Sequence, residues 1–248
     1  MMRYAIISDI HANLEAFEVT LQKIDELEVE MVVCLGDLVG YNVNPKEIIK
    51  LMHEEEIDCI MGNHDAAVSG IEPLSHFNQA AKDALIWTQK ILDDEEINYL
   101  KKLPRELIID NTFFIVHGSI KDPNRYISSE IEAMEDFLLL EKNTNLPHIC
   151  FFGHTHQMGT FIYSPKNKNV ISSHEEHFFL SPENYYLINP GSIGQPRDGD
   201  PRASFLIYDS DSQEITFYRE KYDVDSAANK VIEYGLNKTL AERLYLGW

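Results

Sequence analysis

Long apolar runs are missing from this chain: no stretch of about 18 consecutive apolar residues occurs, so no membrane-spanning helix is expected. The opening residues Met1, Met2, Arg3 and Tyr4 pass straight into a short strand pattern, without the layout of a secretory leader. A cytosolic protein with no membrane partner is the expectation. Cysteine is scarce as well. Cys34, Cys59 and Cys150 lie far apart, each inside a short apolar run, which excludes a disulfide framework and a zinc knuckle. Positive charge is in short supply: 21 Lys and Arg stand against 41 Asp and Glu, a formal net charge of -20. That sign argues against nonspecific binding of nucleic acid or an anionic bilayer. It does not exclude a small anionic substrate, because bound metal ions can reverse the field locally.

What the chain does contain is alternating periodicity. With 248 residues, 44% of them hydrophobic, a single α/β domain over residues 1–248 is expected. Tyr4 to Ile7, Met31 to Leu35 and Ile57 to Met61 are apolar runs of strand length. Between the first two, Leu14, Phe17, Leu21 and Ile24 recur at helical steps. Between the second and third, Asn44-Pro45-Lys46-Glu47 supplies an N-cap, a proline at N1 and an acid at N3. The result is a βαβαβ unit with parallel strands. Helices follow over Phe77 to Leu92 and Glu95 to Leu103, then strands over Glu106 to Asp110 and Phe113 to Val116. Ser129 with Glu132 reads as a capping box for another helix, and His148 to Phe152 as a further strand. Short strands and turns fill Thr160 to Phe217, with a polar hairpin at Ser164 to Asn169, and two helices close the chain from Val224 to Leu246.

The chemistry sits at the strand ends. Asp9-Ile10-His11, Gly36-Asp37 and Gly62-Asn63-His64-Asp65 follow the first three strands, His117-Gly118 follows Val116, and Gly153-His154-Thr155-His156 follows Phe152. Loops at the C-terminal ends of parallel strands converge on one crevice. The glycines permit tight turns and close approach of backbone to a bound ion or phosphate. Oxygen and nitrogen donors without thiolate suit Mn, Fe, Zn, Ni or Co. Seven or eight donors exceed one ion's needs, whereas two ions sharing a carboxylate would use them all.

In these blocks, D-x-H, G-D, G-N-H-D, H-G and G-H-x-H in order, with the first three 28 and 26 residues apart (9 to 37, 37 to 63), the chain resembles the calcineurin-like metallophosphoesterases. Asn189-Pro190-Gly191-Ser192 and Gln195-Pro196-Arg197 are similar to the small bacterial and archaeal phosphodiesterase branch. The resemblance implies a four-layer α/β/β/α sandwich of two mixed sheets flanked by helices. It implies one metal on Asp9, His11, Asp37 and His156, a second on Asp37, Asn63, His117 and His154, and Asp37 as the bridge. The implied cofactors are two divalent transition-metal ions, Mn2+ or Fe first and Zn2+, Ni2+ or Co2+ after them. A hydroxide bridging the ions would be the nucleophile and His64 the general acid on a small phosphate ester. The phosphoprotein phosphatases of the family continue G-D with an acid and an arginine. Here Leu38, Val39, Gly40 and Tyr41 follow, which speaks against that activity and leaves His64 without an acidic partner from this loop.

Other residues have plainer readings. Arg197 is a candidate phosphate clamp, with pairing to Asp198 or Asp200 as the alternative, and Arg125 is a second candidate. Asp65 reads as a cap for the turn after it, and His53, His76 and His148 as solvent or boundary residues. His174-Glu175-Glu176-His177 reads as an acidic solvated loop rather than a third metal site. The insertion between Phe161 and Leu180 is a candidate roof for the crevice. A phosphodiesterase is expected. A dinucleoside polyphosphate hydrolase or phosphoprotein phosphatase is the alternative, and a non-catalytic module like the retromer scaffold subunit is the reading from a different class. Assembly into a homo-oligomer is left open.

Overall fold

The computed structural model describes residues 2–248. Two six-stranded sheets face each other between helical layers, the α/β/β/α order that the resemblance implied. Strands β1 (Arg3–Ile7), β2 (Met31–Cys34) and β3 (Asp58–Cys59) run parallel, with α1 (Leu14–Glu26) and α2 (Pro45–Glu54) as crossovers. The first sheet continues from β1 into β11 (Ala203–Asp209), β12 (Glu214–Glu220) and β9 (His177–Phe179), all antiparallel. In the second sheet, β5 (Phe113–Val116), β6 (Ile149–Phe152) and β10 (Tyr185–Asn189) are parallel, and β4 (Glu106–Ile109) flanks β5 in the opposite sense. The hairpin of β7 (Gly159–Ser164) and β8 (Asn169–Ser173) completes it beyond β10.

The two-residue period of a strand explains the layers. In β1, Tyr4 and Ile6 point between the sheets, while Ala5 and Ile7 point to α1, α2 and α5 (Asp94–Lys102). In β5, Phe113 and Ile115 join the inter-sheet core and Phe114 and Val116 face α6 (Glu130–Lys142). Both faces are buried, so these strands read as unbroken apolar runs rather than alternating ones. Their C-terminal ends in both sheets rise to the same edge of the sandwich, where the motif loops meet.

Several boundaries moved for identifiable reasons. β3 is shorter than the apolar run because Ile60 N still bonds Cys34 O, at 3.1 Å, but Met61 N turns away to Pro104 O, at 2.7 Å. Asn44 precedes α2 without capping it through its side chain, which instead accepts from Lys230 Nζ at 3.3 Å. α4 (Gln79–Ile91) starts after Asn78, which caps Ala81 N, because His76 and Phe77 belong to the 3-10 turn before it. Ser129 does cap α6. Short α3 (Asn63–Val68) carries the third motif loop, and α7 (Val224–Glu233) with α8 (Lys238–Leu246) packs against α4 and Tyr41. Among the described residues no helix is long and apolar enough to cross a membrane.

Candidate metal centre

The motif loops are laced to one another before any side chain is considered. Asp9 N bonds Gly36 O at 3.0 Å, His11 N bonds Asp37 O at 2.9 Å, Gly153 N bonds His117 O at 2.7 Å, and Gly194 N bonds Asp9 O at 2.9 Å. To aim their side chains inward, Asp9, His11, Asp37, His154 and His156 all adopt left-handed backbone, with φ of 54°, 48°, 57°, 65° and 59°. Each costs about 1 kcal/mol or more in an L-residue with a side chain, and such strain gathers where geometry serves chemistry. Two glycines are dictated by contact. A Cβ on Gly62 would sit 2.1 Å from Asp37 Oδ1, and one on Gly40, whose φ is +90°, would sit 2.3 Å from His64 Nδ1.

Inside this cage the carboxylates divide their labour. Asp9 Oδ2 accepts from Ser8 Oγ at 2.6 Å and His154 N at 3.1 Å, and Asp37 Oδ1 accepts from His64 N at 2.8 Å. The other oxygens, Asp9 Oδ1 and Asp37 Oδ2, are buried with no hydrogen-bond donor among the described residues. They face imidazole nitrogens. Asp9 Oδ1 lies 3.1 Å from His156 Nε2, and Asp37 Oδ2 lies 3.6 Å from His11 Nε2 and 3.4 Å from His117 Nε2.

The far nitrogen of each ring rests on a backbone carbonyl: His11 Nδ1 on Val39 O, His117 Nδ1 on Leu35 O, His156 Nδ1 on Gln195 O and His154 Nε2 on Asn124 O. A carbonyl accepts only, so the proton is placed there and the lone pair of the other nitrogen points inward. His11 Nε2 and His156 Nε2 then face each other at 3.2 Å, and Asn63 Oδ1 faces His117 Nε2 at 3.1 Å. The His11–His156 contact is then acceptor against acceptor, which a cation between the rings would relieve, whereas His117, kept protonated by Asp37, can donate to Asn63 Oδ1. Ions about 2.0–2.1 Å from each donor produce such spacings.

The donors form two groups that share Asp37: Asp9, His11, Asp37 and His156, and Asp37, His117 and His154, with the ligand atoms of each group within 4.8 Å of one another. These residues fit a dinuclear site.

Charge follows the same pattern. Burial alone would push both carboxyls up, but the surrounding histidines hold Asp9 and Asp37 well below the ordinary range. Burial presses His117 down, yet the Asp37 carboxylate outweighs it and brings the ring up to about 10. Burial takes His156 to about 3 and His154 to about 4, helped by Arg197 and His117 respectively. His154 and His156 would offer lone pairs to an ion, whereas His117 would first have to give up its proton.

Asp65 does more than cap. Its oxygens accept from Gly62 N at the start of α3 and also from Asp37 N at 2.8 Å, Leu38 N at 2.9 Å and Val39 N at 3.3 Å, which ties the second motif loop to the third. His64 stands outside both donor groups, buried among Tyr41, His11 and Phe77. Its Nδ1 has no partner among the described residues, so no acid supports it, as the departure at Leu38 to Tyr41 suggested.

The outer wall was less legible. Arg197 lines the cleft and pairs with neither Asp198 nor Asp200, which bond Arg219 and Arg202. Its guanidinium donates at 3.2 Å to Tyr126 Oη, Tyr41 Oη and Gln195 Oε1. Arg125 is not among the residues lining the cleft and is held by Glu135 of α6. The insertion does not roof the site either: β7 and β8 extend the second sheet and β9 the first, and the cleft is walled by Glu72, His76, Phe77, Asn78, Asn124 and Tyr126. His76, read as a boundary residue, is thus part of the cleft, as are Tyr41, Phe77 and Tyr126. Their signal was adjacency alone, since Tyr41 ends the Gly36-Asp37 loop and Tyr126 lies in the loop opened by His117-Gly118. His53 and His148 stay outside, packed on Tyr99 and Tyr185. His177 bonds Glu214 at 2.6 Å on the surface.

Comparison with known proteins agrees with this architecture. An uncharacterised protein of Methanocaldococcus jannaschii is 35% identical over 246 residues, 98% of this chain and 97% of its own. A metallophosphoesterase from Sphaerobacter thermophilus has a crystal structure that superposes with a TM-score of 0.83 at 37% identity, covering 100% of this chain and 99% of that one. A hypothetical protein from Pyrococcus horikoshii shares the fold at a TM-score of 0.81 and 20% identity, with 100% and 99% covered. The calcineurin-like phosphoesterase superfamily domain matches residues 2–213, and with this donor cluster at its strand ends the chain belongs to that family and is a metallophosphoesterase.

Proposed function

We propose that the chain is a phosphodiesterase acting as one domain over residues 1–248, in the cytosol, with two transition-metal ions of which Mn2+ or Fe are the first candidates. Asp9, His11, Asp37 and His156 would hold one ion, and Asp37, Asn63, His117 and His154 the other. The observation that carries this reading is the pair of buried oxygens without a hydrogen-bond donor among the described residues, Asp9 Oδ1 and Asp37 Oδ2, set against the ring nitrogens of His156 and His11. Bound there, the ions supply Lewis acidity: they acidify water and neutralise phosphate oxygens.

The chain's own residues do the rest. Arg197, half-buried and without a carboxylate partner among the described residues, presents its fork to a phosphate oxygen. His64 protonates the departing oxygen, and Asp65 keeps Asp37 in register. A diester carries a single charge, which suits a cleft with one arginine. Glu72 on the rim opposes a second phosphate, which disfavours dinucleoside polyphosphates. Tyr41 stands in the loop where the phosphoprotein phosphatases have their acid and arginine, and the full donor set argues against a non-catalytic module.

The test is metal analysis together with hydrolysis of bis(4-nitrophenyl) phosphate. Chelation is expected to abolish turnover, and Mn2+ to restore it better than Mg2+, which prefers oxygen donors and keeps its waters. Undiminished activity from metal-free protein would overturn the reading. Arg197→Ala is expected to lower kcat/KM by roughly 10- to 100-fold with metal content intact, the usual scale for one hydrogen bond to a charged group. Arg197→Lys should recover little of this, because an ammonium cannot meet two tyrosine oxygens and a phosphate at once.

A further inference from the structure

We propose that the outer half of the cleft is a subsite for a planar aromatic ring on the ester, with Tyr126 as its stacking platform. Diesters bearing a nucleobase or an aryl group would then be preferred over aliphatic ones of equal bulk. This rests on the phosphodiesterase reading and names its substrate class.

The cleft has two unlike halves. Its floor is the donor cluster with Arg197, and its walls are aromatic: Tyr41, Phe77, His76 and Tyr126. Two of these rings are built outward from the floor, one on a donor and one on His64. Tyr126 lies nearly parallel on His154, with centroids 4.3 Å apart and 21° between planes, and Phe77 meets His64 edge-on at 5.0 Å. Tyr126 is further pinned through its hydroxyl by Arg197 Nη1 at 3.2 Å. A ring held at both its face and its oxygen, yet still 46% exposed, is a rigid apolar plane beside the expected phosphate position.

Such a platform gains most from a flat partner, and stacking of one base on one ring changes affinity by roughly 10- to 100-fold. A second charged group finds nothing there. Apart from Arg197, no lysine or arginine lines the cleft among the described residues. Of its two carboxylates, Asp37 belongs to the donor cluster on the floor, and Glu72 is engaged by Asn124 Nδ2 at 2.9 Å and by Arg105 at 3.4 Å. On the rim, Asn78 Nδ2 and Asn124 Oδ1, the amide atoms not spent on Ala81 N and Glu72, suit the polar edge of a heterocycle.

The experiment compares benzyl methyl phosphate with cyclohexylmethyl methyl phosphate, which match in bulk and in the basicity of the leaving alcohol but differ in flatness. It uses the Mn2+-loaded wild type, Tyr126→Leu and Tyr126→Phe. Calorimetry of AMP against ribose 5-phosphate gives a readout independent of turnover. The wild type should favour the benzyl ester at least tenfold, mainly through KM, and bind AMP at least tenfold more tightly. Tyr126→Leu should erase both ratios and Tyr126→Phe should keep them. Ratios near one in the wild type, ratios that survive Tyr126→Leu, or ratios lost equally in both variants would each overturn the subsite while leaving the phosphodiesterase reading standing. Failure of the metal-loaded protein to cleave either ester or bis(4-nitrophenyl) phosphate would overturn both.

Discussion

Asp37→Ala is expected to lose more than one metal ion per chain and to reduce kcat by roughly 1,000-fold or more, since both ions and the acidified water go together. Asp37 is the one residue common to the two donor groups. Its Oδ2 lies 3.6 Å from His11 Nε2 and 3.4 Å from His117 Nε2, with no hydrogen-bond donor in place among the described residues. Without that carboxylate, two cations would sit side by side with Asp9 as the only charged donor, and each would weaken the other's binding. The fold should survive. The loops around position 37 are held by backbone bonds and by Asp65, so circular dichroism and metal analysis together separate lost ligation from lost structure. Asp37→Asn should resemble alanine in metal content, because the shape is kept and the charge is not. Two ions per chain and normal turnover in either variant would mean that Asp37 bridges nothing.

His64→Ala should keep both metals and still lose roughly 100-fold or more on an alkyl diester, within the ordinary range for general acid catalysis. On a nitrophenyl ester it should lose far less, because nitrophenolate departs without a proton. The placement of His64 makes the contrast sharp. Burial holds the ring well below the ordinary imidazole value, and the Asp37 carboxylate opposes this only in part. No carboxylate among the described residues touches its Nδ1, so the negative charge of a bound phosphate has to recharge the ring before it can donate. A diester of a poor leaving group exposes that dependence and a nitrophenyl ester hides it. Equal losses on the two esters would make His64 a phosphate-binding residue, and a metal-depleted variant would make it a ligand.

The donor cluster was readable because every member is local to a strand end. Asp9, Asp37, His117 and His154 each follow four or more residues buried on both faces, and an unbroken apolar run announces such a strand as clearly as alternation announces a half-buried one. Asn44 misled for the opposite reason. Its capping pattern was correct in kind, but its side-chain oxygen was claimed by Lys230, 186 positions away, and no window around residue 44 contains that competitor. Asp65 is the intermediate case. Its bond to Gly62 is a local turn, while its bonds to Asp37, Leu38 and Val39 reach across to a different loop.

The sequence by itself determined the parallel run of β1, β2 and β3 and the donor types, because strand period, crossover handedness and donor chemistry are properties of short segments, while the four layers came only from the family resemblance. Tertiary structure alone decided how the two sheets face each other, and with that everything that depends on loops meeting across the gap. It set the orientation of Arg197 between Tyr41 and Tyr126, the removal of Arg125 to Glu135, and the walling of the cleft by Glu72 to Asn78 rather than by the insertion. The physical reason is one of range. A side chain's face follows from its neighbours in the chain, but its partner is whichever group the packed core brings within about 3 Å, and that core is the sum of contacts between segments far apart in sequence.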